Sequence, residues 1–183
     1  METAATVFGR VGYQAASVDD ILDASRVSPS NFYYHFKSKE ELALEVLEGY
    51  FDRTRQKIAP IFMNRRLSPP SKLEQLHQIF VKRMSENGCC GGCPLGNLAQ
   101  ELSDTHPDFR KRLAEFFGEC MQGIEEVVRQ GIRSGEFRKG VDPPAAAFLI
   151  FGSIEGLVLL SKNMKNTAPL EKGFRQALDL LKT

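Results

Sequence analysis

Apolar residues recur three and four positions apart along nearly all of this 183-residue chain, while the period-two alternation of half-buried strands is almost absent. A chain patterned in this way buries its apolar side only as packed helices. Ala4, Ala5, Phe8 and Val11 share the first helical face, and Gly12 closes it as a left-handed cap. Ser17 opens a short second helix, with Asp19 and Asp20 in its first turn and Ile21 and Leu22 on its apolar side. After a break at Ser25–Ser28, Pro29 stands where a helix tolerates proline, directly behind a Ser28 cap, which predicts a third short helix to about Phe36. Ser38 and Glu41 have capping-box spacing and start a long helix through Leu42, Val46, Leu47 and Tyr50 to about Ile58.

Beyond a linker at Leu67-Ser68-Pro69-Pro70, the pattern continues in longer segments. Leu73, Leu76, Ile79, Phe80 and Met84 mark one helix, and a run of glycines and cysteines from Asn87 to Pro94 ends it. A short helix over 95–102 precedes a long one carrying Phe109, Leu113, Phe116, Phe117, Cys120, Ile124, Val127 and Val128, closed by Gly131 and Gly135. Asp142-Pro143-Pro144 starts a helix to Lys162 that is apolar around most of its circumference and so needs cover on several sides. The last helix runs from Pro169 to Leu181. The expected fold is all-α.

Composition adds exclusions. Hydrophobic residues at 42% and charged residues at 26% describe an ordinary globular chain rather than a disordered one. With 24 basic and 23 acidic side chains, the net charge of +1 points to neither a nucleic acid nor a membrane. No uninterrupted apolar run approaches the ~18 residues of a membrane span, and Met1–Ala5 lacks a secretory start, so a cytoplasmic protein is expected. Three of the four cysteines fall within five residues, which suits a reducing compartment and local chemistry better than disulfide stapling.

The segment Ser17–Lys39 has the length and punctuation of a helix-turn-helix, whose second helix enters the major groove of DNA. Phe32 and Phe36, four residues apart, are able to bury together, leaving Ser30, Asn31, Tyr33, Tyr34 and His35 to meet phosphates or base edges. Arg26, Lys37 and Lys39 make the stretch from Ala24 to Lys39 locally basic, with no acidic residue. An amphipathic helical hairpin with exposed tyrosines fits the same pattern without DNA.

The run from Val27 to Leu42, VSPSNFYYHFKSKEEL, resembles the recognition-helix signature of TetR-family transcriptional regulators, and Phe8, Gly12, Val18 and Ile21 fall where that family places its first two helices. The resemblance implies a three-helix DNA-binding domain over 1–45 and a helical ligand-binding and dimerisation domain over 46–183. It also implies a homodimer on a near-palindromic double-stranded operator, usually as a repressor, with no catalytic activity and no cofactor. By position, Pro29, Ser30, Asn31 and Tyr33 belong to the base- and sugar-reading start of the recognition helix, and Ser28, its cap, is a further DNA-binding candidate. Tyr34, His35 and Lys39 fall at phosphate positions, and Ser17 opens the second helix near the backbone. The inter-helix turn carries Arg26 where the family commonly has glycine; a left-handed arginine costs ~1 kcal/mol there but gains a cation for a phosphate. The first helix lacks the basic arm that often precedes it, so an upstream segment is expected.

Cys90 and Cys93 form a Cys-x-x-Cys among Gly88, Gly91 and Gly92. No second pair follows and His77 and His106 are isolated, so a zinc site is not expected. Cys93 precedes Pro94 at a helix start, where the positive end of the dipole favours a thiolate; inert packing of small thiols is the alternative. The segment from Gly92 to Leu102 is similar to one in an electrophile- and oxidant-responsive branch of the TetR family. That similarity implies Cys93 as a sensor and Lys162 as its partner, with a small-molecule or electrophile inducer releasing DNA. A thiol-redox protein working through Cys90 and Cys93 without DNA is the rival function, but it lacks a βαβ frame. Glu155 faces either a ligand or the rim, and Phe116, Phe117, Cys120 and Met121 line either a cavity or the core. Gly152 and Gly156 permit close backbone approach, so the last two helices, including Phe174, Leu178 and Leu181, are the expected dimer patch, with no membrane partner.

Overall fold

The computed structural model describes residues 1–183 as nine helices: α1 (Glu2–Val11), α2 (Val18–Ser25), α3 (Pro29–His35), α4 (Lys39–Met63), α5 (Pro69–Glu86), α6 (Pro94–Leu102), α7 (Pro107–Ser134), α8 (Pro143–Met164) and α9 (Ala168–Asp179). Strand structure amounts to one isolated bridge, Phe137 to Lys182. Local sequence sets most helix ends. Ser17 Oγ accepts from the Asp20 N–H at 3.0 Å while the Asp20 carboxylate accepts from the Ser17 N–H at 2.8 Å, a complete capping box on α2. Ser28 and Ser68 cap α3 and α5 more simply, each Oγ accepting the N–H three residues on, from Asn31 and Ser71, and each is followed by proline in the first turn. At α4 the box is altered: Ser38 Oγ caps the Glu41 N–H, but the Glu41 carboxylate accepts from the Lys37 N–H. That helix also runs past the expected end at Ile58, through Pro60, to Met63. A proline removes a single helical hydrogen bond, and Phe62 beyond it packs against Gly123 so closely that a Cβ there would stand 2.7 Å from its ring.

The chain divides into two compact units, Met1–Thr54 with Pro94–Leu113, and Arg55–Cys93 with Ala114–Thr183. The first therefore gathers α6 and the start of α7 around the N-terminal helices, beyond the 1–45 expected from sequence. Its core includes Val7, Phe8, Ile21, Leu22, Phe32, Leu47, Leu98, Leu102 and Phe109. Tyr13 knits these together, its ring 5.6 Å from Phe8, 5.6 Å from Phe109 and 5.4 Å from His106.

In the second unit α8 packs chiefly on α9, and α5 packs on both. His77 of α5 lies stacked on Phe174 of α9 at 4.3 Å, with its Nε2 3.0 Å from the Leu170 carbonyl. Phe174, Leu178 and Leu181 are buried inside the chain, so they are not the free dimer surface expected of them. Most of the exposed apolar groups of this unit belong to α8, namely Phe148 (62% exposed), Leu149, Leu159, Leu160 and Met164, with Met63 and Leu180 exposed elsewhere. By length and composition α8 is long and apolar enough to cross a membrane, yet one side of it, Ala147, Ile150, Ile154 and Val158, is buried within the unit.

Candidate DNA interface and thiol sites

In the recognition segment, Phe32 is buried and its ring lies 5.8 Å from that of half-buried Phe36. With the phenyl groups directed inward at this spacing, helical geometry turns the intervening positions outward. Tyr33 is 58% and Tyr34 83% exposed, and Ser28, Pro29, Ser30, Asn31 and His35 are exposed as well. Ser28 Oγ and Ser30 Oγ lie 3.1 Å apart, so Ser28 is occupied in capping while Asn31, Tyr33 and Tyr34 present free polar edges. The ring of His35 meets Tyr34 edge-on at 4.9 Å. Arg26 has φ 56° and ψ 33°, the left-handed conformation expected at the turn, and its side chain is exposed.

Lys39 departs from the expected phosphate position. Its ammonium donates to the carbonyls of Tyr13 at 2.9 Å and Ala16 at 2.8 Å and lies 4.4 Å from the Tyr13 ring centre. A charge held by two carbonyls and an aromatic face serves the α1–α2 turn, and Lys37 and Arg26 remain as the exposed cations beside α3. Ser17, exposed, has both its N–H and its hydroxyl engaged with Asp20.

The expected sensor residues separate into two neighbourhoods within the second unit. In one, the buried Cys93 thiol donates to the Glu155 carboxylate, whose pKa is raised by burial and held back by that hydrogen bond and by Arg83. Burial, reinforced by Glu119, pushes the Cys120 thiol up to about 12, so it is a poor nucleophile. Phe117 stands 5.2 Å from Phe151, ring to ring, and Met121 is half-buried next to Cys120 in α7. In the other, Cys90 is exposed and its Sγ lies 3.4 Å from Nζ of Lys165, which also reaches the Cys89 carbonyl at 3.5 Å. The lysine beside a cysteine is thus Lys165 rather than Lys162, because Lys165 ends α8 in a left-handed turn (φ 51°). The loop that presents Cys90 is left-handed at Gly88, Cys89, Gly91 and Gly92, so its glycines serve backbone geometry. Glu101 and Lys165 escaped sequence reading: Glu101 acts on residues 87 and 88 positions away, and the lysine 75 away.

Comparison with known proteins agrees with this architecture. The family described as "Bacterial regulatory proteins, tetR family" matches residues 1–46, and "Tetracyclin repressor-like, C-terminal domain" matches 69–177. An uncharacterized HTH-type transcriptional regulator of Lactococcus lactis subsp. lactis is 33% identical over 94% of this chain and 84% of its own length. The crystal structure of a regulatory protein TetR from Rhodobacter sphaeroides superposes with a TM-score of 0.90 at 26% identity, covering 98% of this chain and 97% of that one. The reduced form of Escherichia coli NemR shares the fold, with a TM-score of 0.89 at 19% identity over 100% and 94% of the two chains. An all-helical chain with an outward, polar third helix in a helix-turn-helix is a DNA-binding transcriptional regulator. This chain belongs to the TetR family.

Proposed function

We propose that the protein acts as a homodimeric repressor on a near-palindromic operator, with residues 1–45 reading DNA and residues 46–183 receiving an inducer and forming the dimer. The outward polar face of α3, backed by the buried Phe32, carries this reading. Asn31, Tyr33, Ser30 and Pro29 read bases and sugars; Tyr34, His35, Arg26 and Lys37 take phosphates. Two copies of α3 would enter major grooves about 34 Å apart. The exposed stripe of α8, where a Cβ on Gly152 or Gly156 would meet no packed neighbour within 4 Å, suits a second copy of the same helix. Selecting bound duplexes from random DNA with the purified protein tests this. An inverted repeat is expected, and recovery of unrelated sequences would overturn it.

Within this reading the inducer-sensing thiol is Cys90, since a solvent-exposed sulfur beside an ammonium is the better nucleophile, whereas Cys93 is buried against a carboxylate. Iodoacetamide serves as the probe: the Cys90 sulfur forms a bond to carbon, iodide leaves, and the thiol proton goes to water. Cys90→Ser is expected to abolish the fast phase of labelling by mass spectrometry and Lys165→Met to slow it by roughly tenfold, whereas Cys93→Ser leaves it unchanged. Fast labelling that persists without Cys90 would return the role to Cys93.

A further inference from the structure

The turn between α1 and α2 is gripped from both sides by charged groups of distant helices. The Glu101 carboxylate, at the end of α6, accepts from the backbone N–H of Tyr13 at 3.0 Å and of Gln14 at 2.7 Å. Gln14 Nε2 returns a bond to the Glu101 carbonyl at 3.3 Å. On the opposite polarity of the same turn, Lys39 takes the carbonyls of Tyr13 and Ala16. Gly12 makes the approach possible: with φ 87° it closes α1, and a Cβ there would stand 3.1 Å from a Glu101 oxygen. Ser17, which caps α2, follows three residues after Gln14.

A turn whose N–H groups are bound by a carboxylate and whose carbonyls are bound by an ammonium has few alternative conformations open to it. The direction in which α2 leaves that turn, and with it α3, is set by the same contacts. At its other end α6 begins at Pro94, joined to Cys93, where the chain passes from the second compact unit into the first. We infer that Glu101 is a positioning residue for operator recognition: α6 holds the α1–α2 turn through this carboxylate and so fixes the direction in which α2 and the recognition helix leave it.

The test uses the full chain, an operator selected as above and a random duplex of equal length. Glu101→Ala is expected to weaken operator binding by roughly tenfold or more while random-duplex affinity stays within about twofold and helicity by circular dichroism is kept. Glu101→Gln, isosteric and retaining one acceptor oxygen, should fall between, and it decides the matter if the alanine variant does not fold. Linkage supplies a readout that a merely structural bond would not move: if the grip belongs to the DNA-competent state, operator must tighten it. Amide exchange of Tyr13 and Gln14 in the parent protein is then expected to slow on adding operator, by about threefold or more, but not on adding random duplex. Unchanged exchange, equal losses on both duplexes, or operator affinity kept by a folded variant would each overturn the inference.

Discussion

Arg26 combines backbone strain with a well-placed charge in a single residue. Its left-handed conformation costs about 1 kcal/mol relative to glycine. Arg26→Gly is therefore expected to raise Tm by roughly 2–4 °C while weakening operator binding and flattening its salt dependence by about one unit. Thermal melts and binding at several salt concentrations read the two effects separately; a loss of both stability and affinity would mean that the arginine is held by the protein. Tyr33 and Lys37 divide in a different way. With Tyr33 assigned to bases in the proposed function, Tyr33→Ala should narrow the gap between operator and random DNA. Lys37→Ala should weaken both alike and reduce the salt slope by about one unit. Equal action of the two substitutions would sink that assignment. The lysine chosen from sequence for the phosphate role, Lys39, is spent on the carbonyls of Tyr13 and Ala16, which no local pattern could disclose.

At the scale of elements, the pairing of α5 with α9 carries a titratable group. His77 is buried, and burial lowers its pKa, opposed by the bond to the Leu170 carbonyl and by Glu171 and aided by Arg175. The folded state therefore favours the neutral ring. Stability from this group is complete above the unfolded pKa of about 6.5 and is lost as pH falls from there through the lowered folded value. Tm is expected to drop between pH 7 and pH 5, and His77→Gln, which keeps a donor for Leu170 without titrating, should flatten the drop. An unchanged profile in that variant would place the acid sensitivity elsewhere. Elements were the most legible part of the sequence, because Ser17, Ser28 and Ser38 act through backbone groups within three residues of themselves; Ser68 and Pro69, expected in a linker, instead cap and open α5. Where the reading stopped short, at Ile58, a packing contact between Phe62 and Gly123 outweighed the proline signal.

For the whole molecule, the decisive surface is the outer side of α8. Phe148, Leu149, Leu159 and Leu160 leave an apolar stripe open to solvent in the single chain, and covering it with a second copy removes it from water. Phe148→Glu combined with Leu160→Glu is expected to yield a monomer by sedimentation velocity and to reduce operator affinity by roughly a hundredfold or more, because two half-sites then bind independently. A dimer that survives both charges would place the interface on another face. Phe174, Leu178 and Leu181 looked equally suitable in sequence, since apolar side chains at helical spacing look alike whether they meet their own chain or another.

Periodicity, capping residues and the Val27–Leu42 segment by themselves determined an all-helical chain with an N-terminal helix-turn-helix, since these signals act over one or two helical turns. Which lysine lies beside which cysteine, which aromatic residues of α8 and α9 stay outside, and that Glu101 holds a turn 87 residues away were decided only by tertiary structure. Those pairings depend on how helices far apart in the chain meet, and nothing in the local free energy of either partner encodes the other.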